Sequence, residues 1–147
     1  MSLKERLLED MKIAMRDKDV IRKNAVQMTR SAVLQIEKDK KVTLDDDGII
    51  EVIAKEVKQR RDSMPEYEKS GRQDLIDNLK TEIEVLMQYL PQQLTEEELE
   101  LIVKQAIEDT GANSAKDMGK LMQAVVPKTK GRADGRMINQ IAKKLLQ

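Results

Sequence analysis

The 147-residue chain contains no phenylalanine, tryptophan, cysteine or histidine, and its only tyrosines are Tyr67 and Tyr89. Each absence excludes something. Without cysteine there is no disulfide framework, thiol nucleophile or zinc ribbon. Without histidine the commonest general base and metal ligand are missing. With so few aromatics the core must be built from Leu, Ile, Val, Met and Ala, which suits helix–helix packing better than a β-sandwich. No apolar run approaches the ~20 residues that cross a bilayer, so no membrane partner is expected. The opening Met1-Ser2-Leu3-Lys4-Glu5 starts an amphipathic charged pattern rather than a signal peptide. These features lead to the expectation of a cytoplasmic protein.

What is present is charge and aliphatic surface. Hydrophobic residues make up 39% of the chain, enough for the core of one domain or two small ones. Lysine and arginine balance aspartate and glutamate at 27 each, but not locally. Residues 1–90 are near balance, with 18 basic and 19 acidic side chains. Residues 91–113 carry one basic and six acidic, and residues 114–147 carry eight basic and two acidic, a local net charge of +6. Either the acidic stretch neutralises the basic end within one small domain, or the basic end faces a polyanion.

Helical periodicity runs almost end to end. Leu3, Leu7, Met11 and Ala14 form the stripe of a first helix, widened by Leu8 and Met15. Asp19 caps a second helix over about 19–38, with stripes Ile21, Ala25, Met28, Ala32 and Val26, Val33, Ile36. A third follows Asp45-Asp46-Asp47-Gly48 and buries Ile50, Ile53, Ala54 and Val57. Pro65 disfavours helix at Met64, yet Glu66 to Lys69 is helix-compatible, so the third helix either stops there or continues to Gly71. The fourth, about 72–89, presents Ile76, Leu79, Ile83, Leu86 and Leu90. Pro91 marks the domain boundary. Beyond it, Thr95 and Glu98 form a capping box for a fifth helix, which ends at Gly111. Ser114 caps a sixth, which stops at Pro127, and Asp134 caps a seventh that buries Ile138, Ile141, Ala142 and Leu145. The expectation is an all-α protein: a four-helix N-terminal bundle over 1–90 and a three-helix C-terminal unit over 91–147.

Candidate chemistry is sparse. Asp45-Asp46-Asp47-Gly48 has neither an acid at Thr43 nor a Glu at Ala54, as an EF-hand in that register needs, and reads as helix N-terminal acids. The methionines read as packing, and Lys55, Lys58, Arg60 and Arg61 as a solvated face. No serine sits in a nucleophile elbow, and no Walker-type loop exists. The pattern gives no catalytic residue, no metal site and no cofactor, and argues against an autonomous hydrolase, kinase or ligase. What stands out is Lys128-Thr129-Lys130-Gly131-Arg132-Ala133-Asp134-Gly135-Arg136, between the last two helices. Four cations on a glycine-interrupted loop offer ammonium, guanidinium and amide groups to phosphate. The competing reading is a plain solvent-exposed turn. If Asp134 caps the last helix, anion binding rests on Lys128, Lys130, Arg132 and Arg136, with amides near Gly131 in support.

Leu90-Pro91, Leu94-Thr95-Glu96-Glu97-Glu98-Leu99, Asp117-Met118-Gly119-Lys120, the Lys128–Arg136 segment and the Arg30-Ser31-Ala32 region resemble the GatB/YqeY family over essentially the whole chain. In that family a similar helical module forms the tail of the B subunit of the tRNA-dependent amidotransferase and contacts tRNA, while catalysis occurs elsewhere. The resemblance implies a non-catalytic module for tRNA or another structured RNA, with any carbon–nitrogen ligase label inherited from the larger enzyme. It carries RNA contact over to Lys120, Lys128, Lys130, Gly131, Arg132 and Arg136. The alternative is a helical adaptor docking on a protein of the translation machinery.

Overall fold

The computed structural model describes all residues 1–147, and every regular element in it is helical. The order is α1 (Leu3–Arg16), α2 (Val20–Lys40), α3 (Asp46–Ser70), α4 (Gln73–Met87), α5 (Glu96–Thr110), α6 (Met118–Val125) and α7 (Gly135–Leu145). Single 3₁₀ turns, Ala115–Asp117 and Val126–Lys128, flank α6. The chain divides into two compact units, Met1–Leu90 and Pro91–Gln147.

In the first unit, local chemistry sets most helix ends. Ser2 and Glu5 form a reciprocal capping box on α1, with the Glu5 amide donating to Ser2 Oγ at 3.1 Å and the Ser2 amide to Glu5 Oε2 at 3.3 Å. Asp19 caps α2 by accepting from the Arg22 amide, and Asp45 caps α3 by accepting from the Gly48 amide. Asp46 also accepts from the Leu3 amide at 3.0 Å, so the acidic run organises two helix starts. Helix α3 continues across Pro65 and ends where Gly71 turns left-handed at φ 69°. That settles the alternative left open at Met64.

The core of this unit gathers Leu7, Ala25, Val26, Val33, Ile49, Ile53, Val57 and Leu86. Three stripes shift from their expected positions, and on α1 Met15, expected to widen the stripe, is 55% exposed. On α3 the buried ridge is Ile49, Val52, Ile53 and Val57, with Ile50 and Ala54 only half-buried. On α2 it is Ala25, Val26, Thr29 and Val33, while Met28 on the shoulder is 55% exposed. Thr29 can be buried because its hydroxyl donates to the Ala25 carbonyl at 2.9 Å.

Arg60 is buried rather than solvated. Its Nη1 donates to Glu56 Oε2 at 2.9 Å, its Nε lies 3.3 Å from Glu82 Oε1 on α4, and its Nη2 lies 3.8 Å from Met28 Sδ. Tyr89, also buried, donates its hydroxyl to Asp10 at 2.5 Å, while Arg6 stacks 4.6 Å from the ring centroid. Burial, reinforced by the Asp10 carboxylate, pushes the Tyr89 phenol above its ordinary range and keeps it a neutral donor. Glu37 accepts from Lys4 Nζ at 2.5 Å and from the Leu44 amide at 2.8 Å, tying the α2–α3 loop to α1.

Candidate nucleic-acid interface

The second unit forms around Leu99, Val103, Ala106, Leu121, Val125, Ile138 and Ala142, all fully or almost fully buried. Helix α5 begins at Thr95, whose Oγ1 accepts from the Glu98 amide at 3.1 Å. The Glu98 carboxylate takes the Thr95 hydroxyl at 3.1 Å, a different bond from the one expected of a capping box. Gly111 supplies the left-handed C-cap at φ 70°. Ser114 does not cap α6: it precedes the 3₁₀ turn, makes no side-chain cap, and Asp117 instead accepts from the Asn113 amide at 3.0 Å. A short helix entered through a 3₁₀ turn already has its first amides engaged, which removes the need for that cap.

With Met118, Leu121, Met122 and Val125 turned to the core, α6 leaves Gly119 and Lys120 on its outer face. The helix then tightens through the 3₁₀ turn containing Pro127 and hands over to the basic loop. Thr129 anchors the loop: it is 2% exposed, and its hydroxyl donates to the Val125 carbonyl at 3.1 Å. From Thr129 to Arg132 the chain makes a turn closed by the Arg132 amide on the Thr129 carbonyl at 2.8 Å, with Gly131 at φ 71°. A positive φ at the third position of such a turn is where glycine is preferred.

Segment 91–94 straps this turn from the other side. The Leu94 amide donates to the Arg132 carbonyl at 2.8 Å, Gln93 Nε2 to the Gly131 carbonyl at 2.7 Å, and Arg132 Nε to the Gln92 carbonyl at 3.3 Å. The sequence did not flag Gln92 or Gln93, because a glutamine's use as a strap depends on which carbonyl the fold brings to it. Arg132 therefore holds the loop together as well as carrying charge, and its amide is already used. The expected support from backbone amides near Gly131 is reduced accordingly. Lys128 and Lys130 are exposed, with Lys128 Nζ 3.9 Å from Asp109 in a half-exposed pair of little energetic weight.

Asp134 caps α7, as its position suggests, by accepting from the Arg136 amide at 3.0 Å. Arg136 is exposed on the first turn, and the same outer face carries Gln140, Lys143 and Lys144. Spacing of three and four residues puts Arg136, Gln140, Lys143 and Lys144 side by side. Sequence reasoning centred on the loop missed Lys143 and Lys144, although the polar half of the same periodicity pointed to them. The arrangement is a run of exposed cations from Lys120 through the loop to the end of α7, without an aromatic side chain in the unit. It can hold phosphates but offers no ring for stacking on bases.

A family model described as Yqey-like protein matches residues 4–146. Among curated proteins, the chain is 30% identical over 132 residues to "Altered inheritance of mitochondria protein 41, mitochondrial" of Pyrenophora tritici-repentis, covering 87% of this chain and 71% of that protein. It is 37% identical over 84 residues to the protein of the same name from Kluyveromyces lactis (56% of this chain, 45% of that protein). For Lachancea thermotolerans the figures are 33% over 99 residues, covering 67% and 53%. The chain thus spans about half the length of these two yeast relatives. The expectation of a cytoplasmic protein is overturned here, because these relatives are named as mitochondrial.

Proposed function

The chain belongs to the YqeY-like family, and from that premise we propose that it is a non-catalytic module that binds tRNA or another structured RNA. The first unit serves as a four-helix bundle, and the second is a three-helix unit whose basic side faces the phosphates. The observation that carries the reading is the surplus of eight basic over two acidic side chains in residues 114–147, with Lys120, Lys128, Lys130 and Arg136 exposed. Recognition is of backbone and shape, because the second unit has no aromatic for stacking. Arg132, tied to the Gln92 carbonyl, shapes the loop as well as adding charge. The resemblance to the amidotransferase tail supports RNA as the polyanion, and on this reading any amido-transfer chemistry belongs to other chains.

The test is filter binding to bulk tRNA across a salt series. Replacing Lys128, Lys130, Arg132 and Arg136 together by Ala weakens binding and flattens the dependence of log affinity on log salt, by roughly 0.7–0.9 for each phosphate no longer neutralised. Replacing Asp134 by Ala costs about 1 kcal/mol of stability through removal of the cap, and leaves binding equal or tighter. A parent protein that fails to bind tRNA at micromolar concentration and low salt ends the proposal. If it binds but the quadruple variant matches it at every salt concentration, the surface lies elsewhere.

A further inference from the structure

The turn between α1 and α2 carries features the RNA reading does not use. Helix α1 ends with the Lys18 amide on the Met15 carbonyl at 3.2 Å and the Asp19 amide on the Ala14 carbonyl at 2.9 Å. This is a Schellman closure, whose left-handed position glycine normally holds. Here it is Lys18, at φ 58°, as Lys41 is at φ 54° after α2, whereas Gly71 and Gly111 take the left-handed place after α3 and α5. On either side of the turn stand Met15, 55% exposed, and Val20, 61% exposed. Between them, over the buried Ala14, lies an open groove of about 390 Å³ whose remaining walls are Lys18, Asp19 and Lys23. The Asp19 carboxylate is engaged by the Arg22 amide at 3.2 Å. Of the three charged walls, two are lysines and one is an acid.

We propose that this groove docks an acidic, leucine-bearing helix of a protein partner, with aliphatic side chains seated between Met15 and Val20 and carboxylates at Lys18 and Lys23. Two lysines against one acid, itself committed to a cap, make an anionic partner complementary. The apolar walls separate this site from a phosphate surface, since a nucleic-acid backbone gives Met15 and Val20 nothing to bury. The concavity and the near balance of the first unit, 18 basic to 19 acidic, favour a narrow peptide over an anionic bilayer. Methionine suits such a seat because its unbranched thioether adapts to the side chain it meets. Helix-in-groove recognition of this kind uses apolar anchors three or four residues apart.

The experiment uses the full chain and a fluorescein-labelled glutamate-rich helical peptide carrying two leucines four residues apart, read by anisotropy. Saturable binding is expected, weakening as salt rises. Met15→Ser with Val20→Ser should reduce affinity at least tenfold. Lys18→Gly should reduce it about threefold while the melting temperature stays level or rises, because glycine relieves the left-handed strain; that variant separates impaired recognition from impaired folding. Replacing the peptide's leucines by serine should abolish binding. The proposal is overturned if the parent shows no binding at 1 mM peptide, if the serine variant binds equally well, or if a lysine-rich peptide binds as tightly. It is also overturned if the protein sediments with vesicles containing anionic lipid through Met15 and Val20 while ignoring the peptide.

Discussion

Single side chains in this protein mostly act at helix ends and loop ties, and Glu37 is one such tie. The hydrogen bond from Lys4, then the one from the Leu44 amide, hold its carboxyl below the ordinary carboxylate range. The folded state therefore favours the ionised form, so the tie contributes fully above the ordinary value of 4.5 and is lost as pH falls through the lower folded value. Glu37→Gln should lower the urea midpoint at pH 7, and the gap between variant and parent should narrow by pH 3. An equal gap at both pH values would show that ionisation of Glu37 contributes nothing. Local reading did well at this scale where the partner is close in sequence: Asp19, Asp134, Gly71 and Gly111 act as their types suggest. It failed at Ser114, because the 3₁₀ turn that displaced it has no clear composition signal.

At the scale of elements, each helix was recognisable from its aliphatic period, but the face it buries was not always. Ile49 rather than Ile50 lines the core, and Met28 sits on a shoulder, because a difference of one residue is 100° on a helix and the neighbour decides which side is covered. Arg60 shows the same limit. Its neighbours on α3 are polar, and only the approach of α4 brings Glu82 to 3.3 Å and closes the site over it. Arg60→Ala should destabilise the first unit by about 2 kcal/mol, less than for a fully buried ion pair because Glu82 keeps some access to water. Urea unfolding of Arg60→Ala, Glu82→Gln and the double variant should give less than additive losses. Strict additivity would mean that the two side chains do not interact.

For the molecule as a whole, the two units have separate cores, with Leu7, Ile53 and Leu86 in one and Leu99, Leu121 and Ile138 in the other. Residues 1–90 expressed alone should give a strongly helical circular dichroism spectrum and a cooperative melt. Residues 91–147 should be helical but marginal, since a domain of about 60 residues buries a smaller share of its surface. The sharper measurement is tRNA binding by 91–147, which should retain the parent's salt dependence if the basic loop and α7 form the interface. Binding confined to 1–90 would move the interface to the other unit.

Sequence by itself determined the helical class, the seven helices, several of their caps and the basic character of the last third, because these follow from local periodicity, side-chain-to-amide spacing and charge counts. Tertiary structure alone decided that Arg60 is buried between carboxylates, that Gln93 and Arg132 strap the basic loop to segment 91–94, and that Met15 and Val20 remain uncovered beside Lys18. Those outcomes depend on groups tens of residues apart meeting at hydrogen-bond distance, or on a face that no neighbouring helix covers. Neither has a local signature in the chain.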